Sequence, residues 1–359
     1  MTAGAPLSSS SPSPSSDGIT DVPGVRVGHA RVAGARALSG TTVVLAPEGG
    51  AVAAVDVRGG GPGTRETDAL DPRNLVQRID ALVLTGGSAY GLEAAAGVMA
   101  WLEEHRRGVR VGPDPAHVVP VVPAACVFDL GRGGDFAARP DAVTGRAAVA
   151  AAAASGDHAR VETGAVGAGT GAVVGGVRGG VGTAGVRLGS GITVGALVVV
   201  NAVGSAFDPG TGVLYGSLFE GGGLPVPPPE AVREAAALRL AEARTASAAP
   251  PMNTTLAVVA TDAALTRAQA QKVAGTAHDG IARAIRPVHL MNDGDTVFAL
   301  ATGARELPAA PGPLALNEIL AAGADLVTRA IVRAVLAAPG GHRGPGGDFP
   351  SYGELYGRG

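Results

Sequence analysis

The sequence predicts an α/β protein built from layered sheets and helices, and three observations lead to that prediction. The 359 residues are 46% hydrophobic with only 3% aromatics, so Ala, Val and Leu supply a large core of small side chains. The 57 glycines let backbones approach one another closely, as packed layers require. Strand-like and helical apolar periodicities alternate along the chain, most clearly in a β-α-β-α succession after residue 253.

The N-terminal part predicts strands first and then a strand-turn-helix unit. Short β-rich runs at residues 25–27, 41–45 and 51–57, separated by Gly and Pro, predict a meander of strands. Residues 79–85 then predict an apolar strand and residues 90–106 a helix, with a tight Gly-rich turn between them. Acidic residues followed by bases close that helix, which suits its C-terminal end.

The middle of the chain predicts a helix, a buried strand and a long connection. An Ala-rich helix is expected within residues 140–160, and a buried strand at 193–201 ends in a polar residue. The Gly-rich stretch 164–185 is too flexible for a regular element unless something packs on it. Residues 219–252 are rich in Gly and Pro, with a helix at 230–244, and resemble a linker or processing loop.

The C-terminal part predicts two strand-helix pairs. Strands are expected at residues 256–261 and 296–302, and helices at 266–283 and 316–336. Thr266 is the predicted N-cap of the first of these helices. Together they form half of a layered α/β fold.

Composition excludes several classes of function. The net charge of −3 and the lack of a basic block with aromatics argue against nucleic-acid binding. Residues 1–17, mostly Ser, Pro, Ala and Gly, predict a disordered tail rather than a signal peptide. The best apolar run, 192–200, has the length of a strand, so no membrane association is expected and a soluble cytoplasmic protein is predicted. The single Cys126 allows no disulfide within the chain and is interpreted as core filler.

Metal and cofactor motifs are also missing or weak. Neither the EF-hand spacing nor an H-x-x-x-H pair is present, so no metal is expected. Residues 167–172 match a dinucleotide fingerprint only weakly, with Ala in the last place and no helix expected to follow. The sequence therefore predicts an enzyme without a cofactor.

The most informative segment is Met252-Asn253-Thr254-Thr255, where a polar loop runs into the apolar stretch that follows it. A hydroxyl residue held rigidly at the entrance of a buried strand lies within reach of the carbonyl that precedes it. Attack of Thr254 Oγ on the Asn253 carbonyl would form an ester, and its hydrolysis would leave a free α-amine on Thr254, with a pKa near ~8, to serve as general base. Thr also favours strands, so the dipeptide alone is better explained as a strand entrance.

A second polar cluster follows the predicted strand at residues 79–85. Gly86 and Gly87 precede a helix N-terminus, where backbone N–H groups could hold an oxyanion or a substrate. The segment Gly87-Ser88-Ala89-Tyr90 approaches the G-x-S-x-G nucleophile elbow but departs from it, so a triad built on Ser88 is poorly supported.

A third cluster, Asn292-Asp293-Gly294-Asp295, precedes the last predicted strand. Two carboxylates around a glycine could orient an amine and exchange protons. The same composition is also a common turn before a strand. The nearest histidines are residues 278 and 289, and each is interpreted as a helix-end or turn residue rather than a base.

Taken together, the segments resemble the L-aminopeptidase/D-esterase family, which includes β-aminopeptidases and nylon-oligomer hydrolases. The resemblance covers about residues 18 to 337. The matching stretches are 18–29 (GITDVPGVRVGH), 55–68 (VDVRGGGPGTRETD), 84–93 (LTGGSAYGLE), 198–204 (VVVNAVG), 253–256 (NTTL) and 293–299 (DGDTVFA).

The resemblance implies an αββα four-layer sandwich like that of N-terminal-nucleophile hydrolases. It implies autocleavage into a large chain, 18–253, and a small chain, 254–359, which stay together as one composite domain, with tetramers of such heterodimers. It further implies roles for six residues. They are Thr254 as nucleophile, Asn253 before the cut, Asn201 as an oxyanion donor, Tyr90 as the active-site tyrosine, and Asp293 and Asp295 as the polar pair beside the nucleophile.

One departure from the resemblance concerns a lysine. Many relatives carry Lys at the position of Gly176, whereas the sole lysine here is Lys272, in a predicted helix. The nearest cation is Arg178, which stays protonated at neutral pH and cannot accept a proton. Either the free amine of Thr254 suffices as base, or processing is slow.

Three functions remain open on the sequence. The leading one is a self-processing amidohydrolase that acts on small peptides, amino-acid amides or esters, or amide oligomers. The second is an esterase based on Ser88, without processing. The third is an unprocessed relative that keeps the fold as a binding or assembly protein, which the missing lysine favours.

Overall fold

The computed structural model describes residues 16–221, 223–247, 252–310 and 312–357. The helices are α1 (Ser88–Gly91), α2 (Ala94–Glu104), α3 (Ala142–Ala154), α4 (Glu230–Ala246), α5 (Arg267–Ala284), α6 (Leu316–Ala337) and α7 (Tyr352–Tyr356). The strands are β1 (Arg26–Arg31), β2 (Gly40–Leu45), β3 (Val52–Val57), β4 (Thr64–Arg65), β5 (Ala81–Thr85), β6 (Val109–Arg110), β7 (Val118–Val119), β8 (Ala124–Cys126), β9 (Val173–Val174), β10 (Val177–Arg178), β11 (Gly180–Arg187), β12 (Thr193–Val200), β13 (Leu256–Ala263), β14 (Thr296–Arg305), β15 (His342–Gly344) and β16 (Gly347–Phe349).

Two five-stranded sheets form the centre of the molecule. The first has the strand order β1-β2-β5-β8-β4 and the second β11-β12-β13-β14-β3. Neighbouring strands are antiparallel except for two pairs, β5 with β8 and β13 with β14. The parallel pair β13 and β14 is joined through α5, as a crossover connection requires.

Helices cover the outer face of each sheet, which gives four layers. Helices α2 and α3 pack on the first sheet, and α5 and α6 pack on the second. A third cluster of buried residues, including Leu84, Leu197 and Phe298, fills the space between the sheets. The predicted layered α/β class and the αββα sandwich are therefore confirmed.

Strand β13 shows why the chain makes this sandwich. Its even-numbered residues Leu256 and Val258 face the other sheet, while Ala257 and Val259 face the helices. Successive side chains of a strand point to opposite faces, so a strand buried on both sides is apolar at every position. The alternation continues toward the residues that precede the strand.

The structure corrects three expectations about elements. The N-terminal meander stops after β1 and β2, because β3 crosses to the second sheet and pairs with β14. The predicted helix at 90–106 begins earlier and is broken into α1 and α2. The Gly-rich stretch contains the eight-residue strand β11, because α6 packs on it so closely that a Cβ on Gly182 would lie 1.9 Å from the Ala330 carbonyl oxygen.

The predicted N-terminal tail is two residues too long at its inner end. Asp17 forms a 2.8 Å ion pair with Arg333 of α6 and accepts a hydrogen bond from the Gly185 N–H at 3.3 Å. Ser16 donates its hydroxyl to Asp21. The rest of the predicted tail, residues 1–15, lies outside the described residues.

Other predicted features are present as expected. The Thr266 side chain caps α5 by accepting the N–H of Gln269 at 3.2 Å. Cys126 is buried in β8. None of the helices in the described ranges has the length and apolar character needed to cross a bilayer.

Candidate active site

Three chain segments meet at one edge of the second sheet. Strand β12 ends at this edge, and β13 and β14 begin there, because β12 is antiparallel to β13 and β14 is parallel to it. The Thr254 N–H donates to the Asn201 carbonyl at 2.8 Å, and the Asn253 N–H donates to the Asn292 carbonyl at 3.3 Å. The polar residues that flank these strands in the sequence are thus brought together in space.

Thr254 is buried and lies directly against the peptide bond that precedes it. Its hydroxyl donates to the Asn253 carbonyl oxygen with 2.6 Å between the two oxygens. The same carbonyl oxygen accepts the Gly294 N–H at 3.2 Å. A nucleophilic oxygen and an N–H donor therefore converge on one carbonyl, which is the arrangement that acyl transfer needs.

Thr255 is held by different partners. Its N–H donates to Asp295 Oδ1 at 2.7 Å, and its hydroxyl donates to the Asn201 carbonyl at 3.3 Å. The two threonines therefore differ in their surroundings, and only Thr254 has its hydroxyl on the Asn253 carbonyl.

Asp293 and Asp295 are both buried beside the Asn253–Thr254 bond. Burial, reinforced by the charge of Asp295, raises the pKa of Asp293 to about 6. Asp293 remains mainly ionised at neutral pH. The turn at residues 292–295 is thus a strand entrance and also a source of negative charge at the site.

His289 supports Asp295, which sequence reasoning missed by treating this histidine only as a turn residue. Its ring Nδ1 and its backbone N–H both bond to Asp295 Oδ2, at 2.8 and 3.1 Å. His278 packs against the His289 ring at 4.8 Å between centroids and hydrogen-bonds to the Asp56 carbonyl. Burial lowers the pKa of His278 to about 4, so it is neutral and structural, as interpreted.

The side-chain amide of Asn201 is engaged by the protein rather than by the Asn253 carbonyl. Its Oδ1 accepts from Arg132 Nη1 at 2.5 Å and from the Val173 N–H at 3.1 Å, and its Nδ2 donates to the Phe128 carbonyl at 3.3 Å. In this continuous chain, Gly294 supplies the donor on the scissile carbonyl. The oxyanion role of Asn201 stays a prediction.

Arg132 is a site residue that the sequence reasoning did not find. Its guanidinium is buried and donates to the Gly171 carbonyl, to Asn201 Oδ1 and to Asn253 Oδ1. Burial lowers the pKa of Arg132 to about 10, opposed by the charge of Asp129 and assisted by that of Arg178. The only sequence signal was the polar pair Asp129 and Arg132 just after the buried strand β8.

The expected oxyanion loop is otherwise occupied, which corrects the prediction for Gly86 and Gly87. The Gly86 N–H donates to the Gly40 carbonyl at 2.8 Å, and the Gly87 N–H donates to Asp129 Oδ1 at 2.7 Å. The Ser88 N–H is bonded to the Val127 carbonyl. The loop acts as a support that ties the N-terminus of α1 to the turn containing Asp129, and these amides are not free to hold an anion.

The structure does not bring Tyr90 or Ser88 to the nucleophile. Tyr90 is 54% exposed, and its ring stacks on the Arg139 guanidinium at 3.8 Å. No histidine or carboxylate hydrogen-bonds to the Ser88 hydroxyl within the described ranges. A serine esterase mechanism at Ser88 therefore lacks its general base.

The position of the family lysine lies at the tip of a hairpin. Gly176, between β9 and β10, has a φ of +93°, a conformation that side-chain-bearing residues rarely adopt, so a lysine there would strain the turn. Arg178 is buried and donates to the Thr170 carbonyl at 3.0 Å. The buried cation that touches Asn201 and Asn253 is Arg132 instead.

Neither a metal nor a dinucleotide finds an evident site. No group of three or more His, Cys, Asp or Glu residues is placed to hold a metal ion in the part of the chain that the structure describes. Residues 167–169 form one turn of 3-10 helix, which leads into the β9–β10 hairpin rather than a helix.

The fold and this strand-edge site define a class of hydrolase. The structure of an L-aminopeptidase D-Ala-esterase/amidase from Ochrobactrum anthropi, described as a variant of the Ntn hydrolase fold, matches with a TM-score of 0.69 at 22% identity. The match covers 96% of this chain and 95% of that one. The chain therefore has an Ntn-hydrolase type of fold.

Sequence comparison gives the family. Residues 17–344 match peptidase family S58, and the chain belongs to this family, which confirms the resemblance and makes it a peptide-bond hydrolase. An uncharacterized aminopeptidase of Mycobacterium leprae is 50% identical over 338 residues, 89% of this chain and 90% of the relative. A 6-aminohexanoate-oligomer endohydrolase of a Kocuria species is 34% identical over 298 residues, 81% of this chain and 77% of the relative.

Proposed function

We propose that this protein is a self-processing amidohydrolase with an N-terminal threonine nucleophile. Thr254 Oγ1 attacks the Asn253 carbonyl carbon, the C–N bond breaks, and the hydroxyl proton passes to the released α-amine. Water then adds to the ester, which yields the Asn253 carboxyl group and restores the Thr254 hydroxyl. The chain divides into residues 1–253 and 254–359.

The observation that carries this proposal is the geometry around one carbonyl oxygen. The Thr254 hydroxyl is 2.6 Å from the Asn253 oxygen, and the Gly294 N–H, 3.2 Å from it, is aimed at the place where negative charge develops. Removing a single oxyanion donor typically costs ~10²–10³-fold in rate, so a preorganised N–H is a large contribution. A threonine that merely entered a strand would not need either contact.

The processed enzyme would use the same groups on other substrates. The Thr254 amine, held near the Asn201 carbonyl that it contacts in the intact chain, takes the hydroxyl proton as general base. The acyl group passes to Thr254 Oγ1, and water hydrolyses the acyl-enzyme. The names of the relatives favour small peptides, amino-acid amides or esters, or amide oligomers as substrates.

The first prediction is that the purified chain consists of two polypeptides. We expect fragments of 253 and 106 residues, in proportion about 25 and 10 kDa of the 35.0 kDa chain, in intact-mass measurement under denaturing conditions. Native size-exclusion should keep the fragments together, because β12 and β13, which pair in one sheet, come from different fragments. An active preparation that contains only the full-length chain would overturn the proposal and favour an unprocessed protein.

A second prediction concerns pH. Because the Thr254 amine must be neutral to accept a proton, kcat/KM should rise with pH through an apparent pKa at or below ~8. A negative charge nearby favours the ammonium form, and Asp293 is mainly ionised at this pH because its pKa is about 6. Asp293→Asn should therefore move the rising limb to lower pH by about one pH unit.

This profile is to be measured from pH 5 to 9 on fully processed protein. The exposed Glu103→Gln on α2 serves as control and should leave the limb in place. A flat wild-type profile contradicts the amine as base. An unmoved limb in Asp293→Asn contradicts the proposed proximity of this carboxylate to the amine.

The assembly and location follow from the resemblance alone. We propose a tetramer of cleaved heterodimers in the cytoplasm, which acts on small substrates without nucleic acid or membrane as partners. Native mass determination of the processed protein tests the tetramer.

A further inference from the structure

We infer that Arg132 binds the side chain of the substrate's acyl residue, and that the enzyme prefers asparaginyl and aspartyl substrates. The inference rests on the proposed function, which it deepens by naming the acyl group.

The first observation is the set of partners of Arg132. Its Nη1 is committed to the Gly171 carbonyl at 2.7 Å and to Asn201 Oδ1 at 2.5 Å. Its Nη2 donates to Asn253 Oδ1 at 2.6 Å. Arg132 is only 3% exposed and makes no ion pair among the described residues, so Nη2 depends on the side chain of Asn253 for its partner.

The second observation is that Asn253 is itself an acyl group. Attack of Thr254 Oγ1 on the Asn253 carbonyl carbon forms an ester and frees the amine. The acyl-enzyme of an asparaginyl substrate is the same ester on the same oxygen, formed as the substrate's C–N bond breaks and its amine leaves with a proton. The groups that hold Asn253 before cleavage are therefore the groups available to hold the acyl residue of a substrate.

The backbone contacts of Asn253 suit an aminopeptidase substrate as well. The Asn253 N–H donates to the Asn292 carbonyl at 3.3 Å, and a free α-amino group in this place could donate to the same oxygen. The acyl carbonyl would accept the Gly294 N–H as the Asn253 carbonyl does. Backbone, carbonyl and side chain of the acyl residue each have a partner.

Specificity follows from the cost of a buried donor without a partner. An apolar acyl side chain would leave Nη2 of the buried Arg132 cation unpaired, and a site built to hydrogen-bond a group discriminates against analogues that lack it. A side-chain amide or carboxylate oxygen restores the bond, and a carboxylate makes it charge-assisted. Leucine, which is nearly isosteric with asparagine, lacks the acceptor and is the matched comparison.

The test on substrates uses the processed wild-type enzyme with the L-asparaginyl, L-aspartyl and L-leucyl p-nitroanilides. We expect kcat/KM for the asparaginyl compound to exceed that for the leucyl compound ~10-fold or more. Arg132→Lys, which keeps the charge but loses the fork, should reduce this ratio more than it reduces hydrolysis of the leucyl compound. Equal wild-type values for the two substrates, or an unchanged ratio in a processed Arg132→Lys, overturn the inference.

The test on processing does not require a change at Arg132, which could fail to fold. Asn253→Leu should slow the appearance of the two fragments ~10-fold or more, whereas Asn253→Asp should retain processing. The exposed neighbour Met252→Leu is the control and should process at the wild-type rate. Wild-type processing in Asn253→Leu contradicts the inference, while a wild type that neither splits nor hydrolyses any of the three substrates contradicts the proposed function itself.

Discussion

Thr254→Ala should leave the chain in one piece and without hydrolytic activity. The substitution removes the oxygen that lies 2.6 Å from the Asn253 carbonyl oxygen, so neither the internal ester nor an acyl-enzyme can form. Removal of a nucleophile of this type lowers kcat on the order of 10⁶-fold. Intact mass, together with hydrolysis of an aminoacyl p-nitroanilide, measures both consequences in one preparation.

Two neighbouring variants serve as controls for this result. Thr254→Ser keeps an attacking oxygen and should still process. Thr255→Ala should process at the same bond and remain active, because its hydroxyl makes only a 3.3 Å bond to the Asn201 carbonyl while its N–H keeps Asp295. The loss of that hydroxyl bond is worth about 1 kcal/mol. If Thr255→Ala were inactive and Thr254→Ala processed normally, the assignment of the nucleophile would be wrong.

Much of the site follows from where polar residues stand relative to predicted strands. Asn201 ends one buried strand, and Thr254 and Asp293 precede two others. Strand ends of one sheet share an edge, so the convergence of these residues is a consequence of pairing. The period-2 apolar pattern was enough to find the strands but not to decide which pairs with which. That is why Val52–Val57 was placed in an N-terminal meander although it closes the second sheet.

The remaining features depend on contacts between residues far apart in the sequence. Arg132 reaches Asn201 and Asn253 across 69 and 121 residues, and no local pattern encodes such contacts. The amides of Gly86 and Gly87 looked available at a helix N-terminus, yet their acceptors, including Asp129, come from other segments. Packing of a helix on β11 overrode the low strand preference of glycine, as tertiary contacts often do.

Asn201 raises a question that an alanine substitution cannot answer alone. We expect Asn201→Ala to lower turnover by ~10²-fold or more if its amide donates to the oxyanion. The same change leaves the Arg132 guanidinium and the Val173 N–H without their acceptor, and each buried unpaired donor costs about 1–3 kcal/mol. A loss of activity would then be mixed with a loss of stability.

Asn201→Asp separates the two roles because it is isosteric and keeps an oxygen toward Arg132 and Val173. Thermal unfolding should place this variant closer to the wild type than Asn201→Ala, since the buried guanidinium retains an acceptor that is now charged. Its second oxygen replaces an N–H donor, so it cannot stabilise an oxyanion, and turnover should still fall ~10²-fold. If Asn201→Asp kept wild-type turnover while Asn201→Ala lost both activity and stability, Asn201 would act by holding Arg132 in place, and Gly294 would be the donor that matters.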